Sequence, residues 1–135
     1  TKWKQEDALY IRDRLREYNI QHLLENDVQF VGELFCFKVK DSDGNIFGGI
    51  TGITKMQSLI IQFLWVDESV RGMGVGRKLI KMAEKFAMEK NCRIIKVDTF
   101  SFQAPDFYQK MGYQVYGVIE KFPEGYNHYF LYKKL

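Results

Sequence analysis

The sequence offers little sulfur and little proline. Its 135 residues include two cysteines and two prolines. Cys36 and Cys92 stand far apart and outside any C-x-x-C spacing, which excludes a disulfide framework and a thiolate zinc site. Buried free thiols are the expectation. The two histidines, His22 and His128, are as widely separated, so no metal is expected. No run of ~18 apolar residues occurs, so no membrane-spanning helix is expected. No signal-peptide pattern opens the chain, which points to a reducing cytoplasm. The net charge of +3 is mild and the basic residues are scattered, so nucleic acid is not an expected partner. Internal repeats, low-complexity segments and linkers are lacking too.

Aromatic residues are abundant. Eleven phenylalanines and eight tyrosines suffice to line both a core and an apolar groove. The length suggests one domain over residues 1–135, large enough for a single core without disulfides or metals.

Helical spacing appears first in Ala8, Ile11, Leu15 and Tyr18, after Glu6 and Asp7, acids that suit the positive end of a helix. Asn19 is a stopping or bending point, and Gln21 to Asn26 read as a second, shorter helical turn. Phe30 to Lys40 reads as a strand, with either Leu34 and Cys36 or Phe35 and Phe37 turned inward. Asp41-Ser42-Asp43-Gly44-Asn45 reads as a hairpin turn. It is not a calcium loop, because the twelfth position, where a bidentate Glu is needed, is Gly52. Ile46 to Thr54 is the return strand. Ser58 to Val66 is nearly continuous in apolar residues, as in a strand buried on both faces.

Val75 to Lys90 is the clearest helix, with Val75, Leu79, Ile80, Ala83, Phe86 and Ala87 on one face. Arg93 to Phe100 follows as a strand, parallel to its predecessor because a helix intervenes. A short helix over Pro105 to Lys110 ends at Gly112, and two strands, Tyr113 to Glu120 and Tyr129 to Lys134, close the chain. The order is helix, helix, three antiparallel strands, helix, strand, helix, two strands.

Between the strand ending at Val66 and the helix starting at Val75 lies Arg71-Gly72-Met73-Gly74-Val75-Gly76-Arg77. The first amides of a helix have no partner within it, and its dipole adds roughly half a positive charge there. Strand, glycine loop and helix together make an anion site. Arg71 and Arg77 add fork-shaped cationic donors suited to phosphate. A diphosphate-bearing cofactor is therefore expected. The residues do not fit the P-loop G-x-x-x-x-G-K-[ST]. Nor is the spacing that of the dinucleotide fingerprint G-x-G-x-x-G, although Asp98 imitates its ribose-binding acid.

Arg71-Gly72-Met73-Gly74-Val75-Gly76 fits [RQ]-x-x-G-x-[GA], the acetyl-CoA loop. With Leu64-Trp65-Val66 before it and Ala104-Pro105-Asp106-Phe107-Tyr108-Gln109-Lys110-Met111-Gly112-Tyr113 after it, the chain resembles the GNAT superfamily of acyl-CoA-dependent N-acetyltransferases from about Glu33 to Leu135. The resemblance implies an α+β GNAT fold: a mixed, mostly antiparallel central sheet, splayed between two central parallel strands and flanked by about four helices. Few residues precede the first helix, so the family's opening strand is expected to be short or absent.

The resemblance implies acetyl transfer from acetyl-CoA to a primary amine by direct attack in a ternary complex, the acceptor being a small molecule, peptide or protein. It places the diphosphate on amides from Met73 to Arg77, with Arg71, Gly72, Gly74, Val75 and Gly76 around it. It places the pantetheine arm along Leu64, Trp65 and Val66, where a backbone N–H near Val66 faces the thioester oxygen. Ser101 stands where the family often has a pantetheine-binding asparagine, with Gln103 as a substitute amide. Tyr108 matches the family's tyrosine and is the candidate proton donor to the leaving thiolate. The family often has a glutamate on the central strand, but Gln57 and Gln62 stand there instead. Glu33, Asp98, Glu120, Glu124 and His128 remain as candidate bases, Asp98 best placed. Glu33, Gln103 and Glu124 are candidate acceptor-binding residues. Dimers are common in the family, so a homodimer is one expectation. A non-catalytic CoA sensor and a small nucleotide-binding protein using the same loop stay open as alternatives.

Overall fold

Apolar and small residues alternate along the strands, and their periodicity gives the sheet one well-filled face. A computed structural model describes residues 1–24 and 32–135. Helix α1 (Gln5–Leu24) is followed by strands β1 (Glu33–Lys40), β2 (Ile46–Lys55) and β3 (Ser58–Val66). A short 3-10 turn (Glu68–Val70) leads to α2 (Val75–Glu89), β4 (Ile94–Phe100), α3 (Pro105–Lys110), β5 (Gln114–Ile119) and β6 (His128–Lys134). The six strands lie in the order β1-β2-β3-β4-β6-β5. Only β3 and β4 pair in parallel; the other neighbours are antiparallel. This is the mixed, splayed sheet that the family resemblance implies.

The core lies between the sheet and α2. Leu79, Ile80, Ala83 and Ala87 of α2 are fully buried against Ile50, Leu59, Ile95 and Leu131. Phe35 and Phe37 of β1 turn toward Phe86 of α2, with ring centroids 5.3 and 5.8 Å apart. Leu34 and Cys36 therefore face the other way and are exposed. The expected burial of Cys36 is corrected on this point: it lies on the sheet face that α2 does not cover. The same holds for β3, where Phe63 and Trp65 are exposed, so this strand is not buried on both faces.

The other departure concerns α1. It runs unbroken through Asn19, and Gln21 to Leu24 continue it rather than forming a separate turn. Glu25 and Asn26, and the expected strand start at Phe30, lie outside the described residues. No strand precedes α1 among the described residues.

The Asp41 turn is a hairpin turn held by its own carboxylate, whose Oδ1 accepts from the amides of Asp43 and Asn45, both at 2.9 Å. Those bonds hold the Asp41 carboxyl below its ordinary pKa. A second irregularity matters more. The β2–β3 register shifts between Thr51 and Gly52. A Cβ on Gly52 would lie 2.2 Å from the Ile60 carbonyl oxygen and 2.7 Å from the Phe35 ring. Gly52→Ala is therefore expected to lower stability by roughly 1–3 kcal/mol, read as a lower urea midpoint; an unchanged midpoint would show that the strands separate there freely.

Candidate functional site

Three residue pairs join β3 to β4, from Ser58–Ile94 to Ile60–Lys96. Beyond them the strands part: β3 stays paired to β2 as far as Val66, and β4 stays paired to β6 as far as Phe100. Where they part, a groove of about 710 Å³ opens between the end of β3, the start of α2, the segment after β4 and α3. Leu64, Trp65, Val66, Arg71, Gly72, Gly74, Val75, Gly76, Arg77 and Gln103 all line it. Of the expected cofactor-binding residues, Met73 and Ser101 do not. Met73 points to solvent. Ser101 instead ties the end of β4 to the β5–β6 loop: its Oγ accepts from the Asn127 amide at 3.0 Å, and its amide donates to the Asn127 carbonyl at 2.8 Å.

The loop chemistry follows from backbone conformation. Gly72 and Gly74 adopt φ of +81° and +80°, a region that strains residues bearing a Cβ. Gly76 is needed for a different reason: a Cβ there would lie 3.3 Å from the Phe107 ring. The amides of Gly72, Gly74, Val75, Gly76 and Arg77 donate to no backbone carbonyl among the described residues. Gly74 caps α2 without a side chain, and no acid stands in the helix's first turn. Among the described residues nothing competes with an external anion at these donors. Asp67 and Glu68, which precede the loop, are engaged with Ser69 and Arg71. The sequence reading missed two further features. A second hollow runs along α2 past Arg77, Lys78, Lys81 and Lys85, a basic strip signalled by their helical spacing. Phe102, Phe107, Lys110 and Met111 also line the main groove.

Tyr108 lies behind this lining, buried on α3 against Phe107 and Tyr113. Burial, and then the negative charge of Asp98, push its pKa up to about 12. Its hydroxyl makes no hydrogen bond among the described residues, yet it is not sealed off as the Tyr113 hydroxyl is. The turn behind it is braced: Lys133 donates to the buried Glu84 carboxylate at 2.7 Å and to the Met111 carbonyl at 3.0 Å. That bond network joins α2, β6 and the end of α3.

Asp98 is half-exposed and accepts from His128 Nε2 at 2.7 Å. His128 stacks on Phe100 and meets the tilted Phe130 ring on another side, both ring centroids 4.4 Å away. Phe102 and Tyr126 extend the cluster, their rings 4.9 Å apart. Since Phe102 also lines the groove, the two regions are continuous. Antiparallel pairing of β4 with β6 creates the Asp98–His128 pair, and no local motif announces it. Gln103 is occupied, its Oε1 accepting from Thr99 Oγ1 at 3.1 Å and the Phe100 amide at 2.8 Å. Glu33 stands on the edge strand in an ion pair with Lys90 at 2.8 Å, away from the groove. Glu124 is exposed in the β5–β6 loop.

Against known proteins, the sequence pattern of the Acetyltransferase (GNAT) family matches residues 2–113. The blasticidin-S acetyltransferase of Streptomyces morookaense is 41% identical over 93 residues, 68% of each chain. A crystal structure of an acetyltransferase from Bacillus cereus superposes with a TM-score of 0.91 at 43% identity, covering 100% of this chain and 96% of that one. A second, from Agrobacterium tumefaciens, gives 0.87 at 27% identity over the same shares. Both alignments take in α1.

Reversing the charge of exposed Arg77 tests the anion site without crowding it. Arg77→Glu is expected to weaken a CoA-type diphosphate ligand at least tenfold, about 1.4 kcal/mol, by titration calorimetry. Unchanged affinity would put the diphosphate elsewhere.

Proposed function

The chain belongs to the GNAT acetyltransferase family, and from that premise we propose that it moves an acetyl group from acetyl-CoA to the primary amine of a small, cationic, partly planar acceptor. One observation carries this reading. The gap between β3 and β4 meets an amide-lined anion loop at one end, and the aromatic cluster around Asp98 adjoins its lining.

In this reading, the amides of Gly72, Gly74, Val75, Gly76 and Arg77 hold the diphosphate, with the Arg71 and Arg77 side chains beside it; the Met73 amide is taken by the Val70 carbonyl. Lys78, Lys81 and Lys85 offer charge to a further phosphate. The free edge of β3 at Leu64, Trp65 and Val66 pairs with the pantetheine amides as an added strand would. A backbone N–H near Val66 donates to the thioester oxygen, whose charge grows in the transition state. The amine nitrogen attacks the carbonyl carbon; the C–N bond forms and the C–S bond breaks. Tyr108 gives its proton to the departing sulfur, and the proton lost by the amine passes to Asp98 or water.

Asp98 suits a cation for two reasons. Its carboxylate borders aromatic faces, which attract cations, and His128 fixes its direction. The antibiotic named in the Streptomyces relative makes amine-bearing antibiotics the first acceptors to try. A screen of amines that reads released CoA thiol tests the proposal. Release with at least one amine supports it; CoA binding with no release for any amine favours a non-catalytic CoA-binding domain.

Two outcomes test Tyr108. Tyr108→Phe is expected to lower kcat at least a hundredfold with acetyl-CoA affinity unchanged; equal turnover removes Tyr108 from the mechanism. A phenol raised to about 12 stays protonated across the working range. kcat/KM is therefore expected to rise with pH as the amine loses its proton, with no fall below about pH 10. A descending limb near pH 8–9 would contradict Tyr108 as the acid.

A further inference from the structure

Two apolar surfaces of this chain lie uncovered, and each is what the other lacks. The first is α1, where Ile11 and Leu15 are 67% and 60% exposed. Leu9, Tyr10, Tyr18 and Ile20 are exposed as well. Ala8, Ile11, Leu15 and Tyr18 form one apolar stripe along this helix; such a stripe faces a core, and a helix left alone in water is only marginally stable. The second surface is the sheet face turned away from α2. Pairing sets Leu34 beside Ile53, Ile53 beside Ile60, and Phe63 beside Thr51. Leu34 and Phe63 are 73% and 75% exposed, and the Thr51 hydroxyl is buried without a partner.

The total area makes the same point. The chain exposes 9894 Å², whereas a folded monomer of its mass exposes about 7,400 Å². The excess, about 2,500 Å², is of the order that extensive, obligate interfaces bury. α1 does not lie on its own sheet among the described residues, and the two crystal structures superpose over the whole length of this chain.

We propose that the sheet face of one copy is covered by α1 of a second copy, exchanged reciprocally in a two-fold dimer. A two-fold exchange covers both surfaces with one contact made twice, and exchanging an identical element is a low-cost route to a dimer. Trp65 belongs to this face and also lines the groove. The partner's helix thus forms a wall on the acceptor side. That consequence rests on the acetyltransferase reading; the dimer does not.

Sedimentation equilibrium on the unaltered chain is expected to give twice the chain mass at micromolar concentration. A monomer mass overturns the proposal. Cys36 is an exposed thiol on the same sheet face, while Cys92 is buried, so one added cysteine reports the contact. Ile11→Cys, Leu15→Cys and Tyr18→Cys, oxidised one at a time, are expected to include one that gives a covalent dimer well above the yield of the parent chain. Oxidation within a single chain, or dimer no greater than the parent's in all three, overturns it. The pair Ile11→Glu with Leu15→Glu is expected to be monomeric and to retain the acetyl-CoA-induced rise in melting temperature. A dimer that survives this pair overturns the assignment of α1 as the contact.

Discussion

The separation of β3 from β4 after three residue pairs is the constraint on which the site depends. Backbone donors and acceptors are obligatory hydrogen-bonding groups, and these two strands stop satisfying each other beyond Ile60 and Lys96. Each is held in place from its far side, β3 by β2 and β4 by β6. The gap therefore cannot close without breaking a full ladder. The β2–β3 irregularity at Thr51 and Gly52 sits next to the point of separation, where Gly52 lets the strands approach closely. After β3 and a 3-10 turn comes the start of α2, where the amides of Gly72, Gly74, Val75, Gly76 and Arg77 donate to no backbone carbonyl among the described residues. Two sets of free backbone groups thus lie end to end, suiting a long ligand with amides along its arm and phosphates at its end.

Rigid parts frame this opening. α2 is held by a fully buried apolar face, so the amides at its start are fixed in direction. α3 is short, six residues, and is held from outside: Lys133 bridges its final turn to Glu84 on α2. The Tyr108 ring is clamped between Phe107 and Tyr113. Burial keeps the phenol protonated, which suits it to give a proton and unsuits it to take one.

Much of this was legible in the sequence. α2 was plain because Val75, Leu79, Ile80, Ala83, Phe86 and Ala87 recur at helical spacing and pack in or against the core. The anion loop was plain because its glycines and arginines are local in the chain, and local patterns survive folding. What escaped depended on pairing between distant segments. Asp98 and His128 meet through antiparallel register, thirty positions apart. Glu33 fell on an edge strand because, among the described residues, β1 pairs only with β2. An alternating strand also does not say which of its faces is covered. Cys36 and Phe63 read as interior because they are apolar, and they are exposed because no described residue lies over them. The spacing in α1 was read correctly as helical, but helical spacing carries no information about what the helix packs against.

The most direct measurement is a crystal structure of the protein with acetyl-CoA bound. The account predicts the diphosphate on the amides of Gly72 and of Gly74 to Arg77 and the pantetheine arm along the free edge of β3 at Leu64 to Val66, with its sulfur within hydrogen-bonding reach of the Tyr108 hydroxyl. A diphosphate seated away from the start of α2, or an arm that leaves the β3–β4 gap empty, would contradict it.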